Sequence, residues 1–302
     1  MSRLSAVSHY HSAPSANAAL ELLKPITWFP PMWAFGCGLI TATAQRRPEW
    51  WLVVLGIALA GPLVCGTSQA VNDWFDRHVD ALNEPNRPIP SGRLPGRWGL
   101  GIAIAWTALS ILASIPLGIF GLCAALFGLL LAWAYSAPPV RLKTNGWWGN
   151  SAVAICYEGL PWLTGVTVVT GSMPDHRVWL CAGLYSLGCH GIMTLNDFKS
   201  VAGDQRMGVR SLPVQLGVER AGRLACWTMA IAQVAVIALL LAWGRPWFAA
   251  AVLVLLVTQL LLMRRLLRSP RELAPWYNGT GVTLYVLGML LTAFALRPLV
   301  AA

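Results

Sequence analysis

Residues 72–93 read NDWFDRHVDALNEPNRPIPSGR and concentrate charge in a chain that otherwise avoids it. Four carboxylates and three arginines fall within these 22 residues. The whole chain of 302 residues is 56% hydrophobic and only 11% charged, whereas a soluble domain carries roughly 25% charged residues. This deficit indicates a membrane protein, and the charged stretch directly follows a long apolar window.

Apolar windows of the length that crosses a bilayer recur along the chain. They predict an all-α, polytopic membrane protein with about nine transmembrane helices in one bundle. Residues 1–25 are predicted to be an N-terminal tail with a short interfacial helix, and residues 26–302 to form one membrane domain. Pro30, Pro31 and Pro62 are expected to bend the first two spans. The predicted spans are 26–44, 50–71, 98–115, 117–136, 147–170, 178–195, 224–243, 247–263 and 278–296.

The positive charges divide unequally between alternate loops of this layout. One set of loops holds 17 of the 22 Lys and Arg residues and the other set holds 5. The positive-inside rule then predicts that the N-terminus and both acidic loops lie on the cytoplasmic side. The net charge of +10 comes without a basic amphipathic run or a nucleic-acid motif, so the expected partner surface is lipid and not nucleic acid.

The acids of the first charged stretch have helical spacing. Asp73, Asp76 and Asp80 are three and four residues apart, so a helical continuation of the second span would present all three within about 60° of one face. Carboxylates grouped in this way repel each other unless a cation lies among them. Mg²⁺ prefers oxygen ligands of this kind, and Asn72 adds an amide oxygen at the same end.

A second loop, NDFKSVAGDQRMGVRSLP at 196–213, repeats the Asn-Asp pair at the end of an apolar span. Asp197 follows Asn196, and Asp204 lies two helical turns later. Both acidic loops are predicted to lie on the same side of the membrane. The sequence therefore predicts that the two aspartate groups form one site.

Cations accompany both groups, and metal ions with Arg or Lys are the usual partners of a polyphosphate. The expected ligand is a diphosphate bound through Mg²⁺. The alternative is that these charges are only solvated loop residues with salt bridges. His78 and His190 are interpreted as packing residues. The predicted diphosphate-binding residues are Asn72, Arg87, Tyr135, Arg141, Lys143, Lys199 and Arg210.

These motifs resemble those of the UbiA superfamily of intramembrane prenyltransferases. Its NDxxDxxxD motif is matched by residues 72–80, and its second aspartate-rich motif is matched in outline by Asp197 and Asp204. The strings NEPNRPIPSGR, YSAPPVRLKTNGWWGN and NDFKSVAGDQRMGVRSLPVQLG are similar to those of the chlorophyll and bacteriochlorophyll synthases within it. Ala202 departs from the pattern, which has an acid before the glycine of the second motif.

The resemblance implies a Mg²⁺-dependent enzyme of a bacterial inner membrane. It would transfer a geranylgeranyl or phytyl group from its diphosphate to the propionate carboxylate of bacteriochlorophyllide. Its catalytic acids would be those of the two groups, with the cofactor Mg²⁺ held between them. The implied metal ligands are Asn72, Asp73, Asp76, Asp80, Asp197 and Asp204.

Three other functions stay open at this point, and one of them is a pigment-binding assembly factor without activity. A prenyltransferase of the same superfamily with a different acceptor, such as chlorophyllide or a quinone precursor, would carry the same aspartate groups. An ion-coupled transporter would instead place its acids near the middle of the membrane. The acids of this chain are predicted at the ends of spans, which favours the enzyme.

Overall fold

The structure is a computed structural model that describes residues 15–43 and 47–300. Within those ranges the chain forms helices and connecting loops without a strand, and an isolated β-bridge pairs Asn145 with Arg210. The α-helices are α1 (Ala16–Leu23), α2 (Phe29–Ala42), α3 (Trp50–Ala58), α4 (Gly66–Asn83), α5 (Trp98–Ser114), α6 (Gly118–Ser136), α7 (Gly146–Ala154), α8 (Leu160–Thr170), α9 (His176–Asn196), α10 (Val201–Arg206), α11 (Leu212–Leu216), α12 (Val218–Ala242), α13 (Pro246–Leu266), α14 (Pro270–Gly279) and α15 (Gly281–Leu296).

Six helices in the described part of the chain are long and apolar enough to cross a membrane, or seven if α14 and α15 count as one bent span. The predicted multi-pass helical fold is thus confirmed, but the count of nine spans is not. One reason is that residues 98–136 count as a single helix. Trp133 Nε1 nevertheless donates to Thr107 Oγ1 at 3.0 Å, although a straight helix would separate these residues by about 39 Å. The chain therefore turns back between α5 and α6.

The centre of the bundle is α9, which packs against α7 and α12. Its Tyr185 is fully buried and meets α15 through two hydrogen bonds. The Tyr285 hydroxyl donates to the Tyr185 carbonyl at 2.9 Å, and the Tyr185 hydroxyl lies 2.9 Å from Thr292 Oγ1. Inside a bilayer, packing and hydrogen bonds of this kind hold helices together, because lipid tails are as apolar as the side chains.

Two glycines let α2 and α8 approach backbone to backbone. A Cβ atom on Gly38 would collide with the Trp162 carbonyl oxygen and lie 2.9 Å from the Cα of Gly165. Small residues at helix contacts are typical of membrane bundles, since they permit the close packing that replaces the hydrophobic effect. This contact fixes α8 against the first long helix of the membrane domain.

In the first span, the prolines do not bend the helix as the sequence predicted. Helix α2 begins at Phe29, so Pro30 and Pro31 occupy its first turn, where a missing N–H has no helical acceptor to lose. They therefore do not bend the helix. Pro62 lies inside a π-helical segment, Leu59–Cys65, that joins α3 to α4. Its carbonyl accepts a hydrogen bond from Trp106 Nε1 at 3.2 Å, which satisfies a backbone group at the irregular turn.

Candidate active site

A cavity of about 600 Å³ lies among the ends of α4, α6 and α9 and the start of α7. Asn72 and Asp76 of the first acidic group line it, and so do Asp197 and Asp204 of the second. Its deeper wall is apolar and includes Val64, Leu131, Val153 and Cys156. The two acidic loops therefore meet at one cavity that also reaches between the membrane helices.

Two acids of the first group are buried against cations. Lys24 Nζ donates to Asp73 Oδ1 at 2.6 Å, and Arg87 Nη1 lies 3.3 Å from the same oxygen. Arg87 Nη1 also bonds Asp80 Oδ2 at 2.8 Å. Asp73 and Asp80 are seven residues apart, so they share one helix face and one guanidinium. The arginine that binds them comes from the loop just after α4.

Asp76 points to a different set of partners, on the cavity side of α4. Lys143 Nζ donates to its Oδ1 at 2.6 Å and Arg141 Nη2 lies at 3.9 Å. Lys143 also donates to Asn72 Oδ1 at 3.3 Å. Burial lowers the pKa of Lys143, and the Asp76 carboxylate only partly offsets this effect. The loop 137–145 thus supplies the positive charges that face Asp76, the most exposed aspartate of the first group.

The acids of the second group have neutral partners. Asn150 Nδ2 donates to Asp197 Oδ2 at 3.0 Å. Ser200 and Ser211 donate their hydroxyls to Asp204 Oδ2 at 2.9 and 2.7 Å. Among the residues that the structure describes, neither carboxylate forms an ion pair. On this side of the cavity, hydrogen bonds from neutral groups therefore hold the carboxylates in position.

The remaining polar lining connects the two groups. The carboxylates of Asp76, Asp197 and Asp204 all lie close enough to the Tyr135 hydroxyl to act on it electrostatically. Lys199 lines the cavity beside the second group. A ligand with several negative charges would meet cations on one side and metal-binding oxygens on the other.

Comparison with known proteins decides the family. The model of the UbiA prenyltransferase family matches residues 29–287. The chain belongs to the UbiA prenyltransferase family. It is therefore a membrane-embedded prenyltransferase, and the resemblance that the motifs indicated is confirmed.

Several UbiA-family relatives match nearly the whole chain. The bacteriochlorophyll synthase 33 kDa chain of Cereibacter sphaeroides is 58% identical, covering 96% of each protein. The bacteriochlorophyll synthase 34 kDa chain of Chloroflexus aurantiacus is 45% identical, covering 95% of this chain and 94% of that protein. The chloroplastic chlorophyll synthase of Arabidopsis thaliana is 37% identical, covering 91% of this chain and 73% of that protein.

Solved structures share the UbiA fold at low sequence identity. A UbiA homolog from Archaeoglobus fulgidus bound to DMAPP and Mg²⁺ has a TM-score of 0.72 at 19% identity, covering 93% of this chain and 99% of that one. The same homolog bound to GPP and Mg²⁺ has a TM-score of 0.71, with the same coverage. A divalent metal and a prenyl diphosphate are thus known in a protein of this fold.

The predicted UbiA site residues do not all have the same place in the structure. Asp73 and Asp80 do not line the cavity, because they are buried against Lys24 and Arg87. The side chain of Arg210 is exposed outside it, and its backbone instead pairs with Thr144 and Gly146. The roles of these residues stay predictions. The predicted residues that do line the cavity are Asn72, Asp76, Arg87, Tyr135, Arg141, Lys143, Lys199, Asp197 and Asp204.

Sequence reasoning missed the residues that hold the acids in place. Lys24 precedes Asp73 by 49 positions, and Asn150 precedes Asp197 by 47. Ser200 and Ser211 lie inside the quoted second motif, on either side of Asp204 in sequence. Their positions could have predicted that they donate hydrogen bonds to this carboxylate. Ala202, which departs from the pattern of the second motif, is exposed and does not line the cavity.

The donor set fits magnesium in kind. The cavity presents carboxylate and amide oxygens, which are the ligands that Mg²⁺ takes. Asp73 Oδ2 is buried without a hydrogen-bond partner among the described residues, and a buried carboxylate oxygen in that state favours a cation. No three acidic, His or Cys side chains in the described ranges are already gathered around one point. Ligation would therefore require first-group acids to exchange a Lys or Arg partner for the ion.

Proposed function

We propose that this enzyme transfers a geranylgeranyl or phytyl group from its diphosphate to the propionate carboxylate of bacteriochlorophyllide. The observation that carries the proposal is the convergence of the two aspartate groups on one cavity whose other wall is cationic. The acceptor is supported by relatives 58% and 45% identical over nearly the whole chain, both named as chains of bacteriochlorophyll synthase. The plant chlorophyll synthases are more distant.

The metal in this proposal is Mg²⁺, and it would act where the two acidic groups face each other. When bound, it supplies Lewis-acid stabilisation of the leaving diphosphate and a template for its oxygens. The residues of the two groups that line the cavity and would hold it are Asn72, Asp76, Asp197 and Asp204. Asp73 and Asp80 would become ligands of the ion once their contacts with Lys24 and Arg87 had shifted.

The cationic wall would bind the diphosphate. Lys143 and Arg87 line the cavity and are held in place by Asp76 and Asp80. Charge-assisted hydrogen bonds from such groups are about twice as strong as neutral ones and grow stronger as the leaving group gains charge. Arg141 and Tyr135 would extend this wall. Lys199 would bind the diphosphate from the side of the second group, and Arg210 would act from outside the cavity.

The nucleophile belongs to the acceptor. A propionate carboxylate is already ionised near neutral pH, so no side chain has to remove a proton. One carboxylate oxygen forms a bond to the allylic carbon as the bond from that carbon to the diphosphate oxygen breaks, and diphosphate leaves with the electron pair. The protein has to hold the two reactants close and exclude water. The apolar wall at Val64, Leu131 and Cys156 suits both tasks.

The proposed setting is the inner membrane of a bacterium, either cytoplasmic or intracytoplasmic and photosynthetic. The unequal division of Lys and Arg between alternate loops supports a cytoplasmic N-terminus and a cytoplasmic active site. Residues 26–302 would form the catalytic membrane domain. The preceding segment contributes α1 and Lys24, and Lys24 is bonded to Asp73.

The test uses purified protein in detergent with geranylgeranyl diphosphate, Mg²⁺ and one acceptor at a time. We expect esterified bacteriochlorophyllide and equimolar diphosphate, and no product from 4-hydroxybenzoate. Prenylated 4-hydroxybenzoate would overturn the proposed acceptor. Asp76→Asn should lower diphosphate release by about a hundredfold or more, with Glu272→Gln, which changes an exposed acid of α14, as the matched control. Retained release in Asp76→Asn would show that this carboxylate is not needed for departure of the diphosphate and would overturn its proposed role.

A further inference from the structure

A second cavity, of about 440 Å³, forms a groove between α6, the α7–α8 segment and α9. Its lining is mostly apolar and includes Phe127, Ile155, Trp179 and Leu187. These four side chains are between 39% and 47% exposed, although they belong to membrane-spanning helices. The groove therefore opens sideways to lipid, and a ligand that fills it arrives from the bilayer and is largely apolar.

One buried polar side chain in this groove is incompletely bonded. His190 is 7% exposed, and its ring stacks on Trp147 with the centroids 5.8 Å apart. His190 Nδ1 lies 3.1 Å from Ser151 Oγ. His190 Nε2 is buried and has no hydrogen-bond partner among the described residues. A buried nitrogen without a partner is costly, so a ligand that contacts it gains affinity.

This arrangement is the one that prepares an imidazole for a metal. In the tautomer in which Nδ1 donates to Ser151 Oγ, this hydrogen bond orients the ring and leaves the Nε2 lone pair free as the ligand. A bare ion has too few protein ligands here, because the described residues do not bring three or more His, Cys, Asp or Glu side chains together at one point. The metal would have to arrive inside an apolar molecule that already supplies the other ligands. A magnesium tetrapyrrole has this property.

We infer that the groove binds the tetrapyrrole ring of the acceptor and that His190 Nε2 is the axial ligand of its central magnesium. The inference rests on the proposed function for the identity of the ring. It replaces the sequence interpretation of His190 as a packing residue. Ser151 is then a positioning residue, because its hydroxyl acts on the ring only through His190.

The groove and the active-site cavity lie against the same helices, α7 and α9. His190 precedes Asp197 by seven residues, which is about 10 Å along α9. Ser151 is adjacent to Asn150, whose amide bonds Asp197 at 3.0 Å. Ala152 and Val153 line the active-site cavity, while Ser151 and Ala154 line the groove. A ring centred at His190 would therefore have only a short distance to span with its propionate arm.

The first experiment measures equilibrium binding to the wild-type protein, without prenyl diphosphate. The two probes are bacteriochlorophyllide and its magnesium-free analogue, and the absorption band of the macrocycle that responds to axial ligation is recorded. We expect the magnesium form to bind at least roughly tenfold more tightly and its band to report one nitrogen ligand. Equal affinity for the two probes would overturn the inference without the use of any variant.

The second experiment compares His190→Ala and Ser151→Ala. His190→Ala should raise KM for bacteriochlorophyllide by roughly tenfold, leave KM for geranylgeranyl diphosphate unchanged and lose the axial-ligand band. Added imidazole should restore the band. Ser151→Ala should shift the same quantities by a smaller factor. The unchanged KM for the diphosphate reports that the variants are folded.

The outcomes separate this inference from the proposed function. If the wild type forms the ester but His190→Ala keeps the KM and the band of the wild type, the groove assignment is wrong and the function stands. If the magnesium macrocycle binds through His190 but no ester forms with any prenyl diphosphate, the function is wrong and the binding site stands. Failure of the wild type to bind the macrocycle overturns the inference.

Discussion

The two aspartate groups face each other across one cavity but are stabilised in opposite ways. The first group is neutralised within the protein, since Asp73, Asp76 and Asp80 each contact a Lys or Arg nitrogen. The second group is held by neutral donors, namely the amide of Asn150 and the hydroxyls of Ser200 and Ser211. Similar motifs at similar positions therefore have different electrostatic states.

This difference indicates which of the two groups would be stabilised more by a bound cation. A partly buried carboxylate that only neutral groups contact keeps most of its desolvation cost, and a nearby positive charge removes that cost. An acid already paired with Lys or Arg gains less, because it must first give up its partner. We therefore propose that a divalent cation binds the second group first and that acids of the first group then complete its coordination.

The largest expected effect comes from neutralising the second group. Asp197→Asn should lower turnover by about two to three orders of magnitude and abolish the thermal stabilisation that Mg²⁺ with diphosphate gives the wild type. Without metal its melting temperature should equal or exceed that of the wild type, because an unpaired acid has been removed. Diphosphate release and scanning fluorimetry measure the two quantities. Normal turnover in this variant would break the comparison.

The second-largest expected effect distinguishes the two groups by the stability of the metal-free variants. Asp73→Asn should also lose turnover, but in addition it should destabilise the metal-free protein by about 3 kcal/mol, because Lys24 and Arg87 lose a buried partner. The double variant Lys24→Met with Asp73→Asn should recover part of the stability and none of the turnover. A metal-free melting temperature unchanged in Asp73→Asn would show that the two groups do not differ in this way.

A smaller effect is expected from the neutral support of the second group. Asn150→Ala removes the amide that fixes Asp197, at 3.0 Å, and leaves all charges in place. Groups that orient a metal ligand in this way contribute about tenfold to metal affinity. The Mg²⁺ concentration for half-maximal activity should therefore rise by about that factor, with kcat restored at high Mg²⁺. A loss of kcat at saturating Mg²⁺ would mean that Asn150 contacts a substrate directly.

Much of this site could be predicted because its signals are local. The spacing of Asp73, Asp76 and Asp80 indicated one helical face, and the seven-residue separation of Asp73 and Asp80 is the pair that Arg87 bridges. The shared cavity followed from the positions of the two motifs at the ends of predicted spans. Asp76 is displaced by about 60° from Asp73 around the axis of α4. This displacement directs its side chain to Lys143 and to the cavity.

The rest could not be predicted because it depends on contacts between distant parts of the chain. Nothing near Lys24 in sequence indicates that it meets Asp73, since this contact depends on how α1 packs against α4. The predicted count of nine spans is not confirmed, in part because the 14 residues of α2 are short for a bilayer. The turn between α5 and α6 does agree with the predicted division into spans 98–115 and 117–136.

The smallest expected effect concerns an ion pair that resembles the one at Lys24 but is exposed. Arg93 Nη2 donates to Glu21 Oε1 at 2.8 Å, which connects α1 to the loop after α4. This hydrogen bond lowers the pKa of Glu21. Any stability it adds is therefore present above the unfolded pKa of Glu and is lost as the pH falls through the lowered folded value.

Glu21→Gln should leave turnover unchanged and shift the melting temperature only at low ionic strength, since solvent and salt screen an exposed pair. Melting curves at pH 7 in low and high salt measure this. The same salt series should leave the difference between the wild type and Asp73→Asn nearly constant, because that pair is buried. If salt removed both differences equally, the Lys24 contact would be no stronger than a surface pair, and the first group would not be neutralised from within.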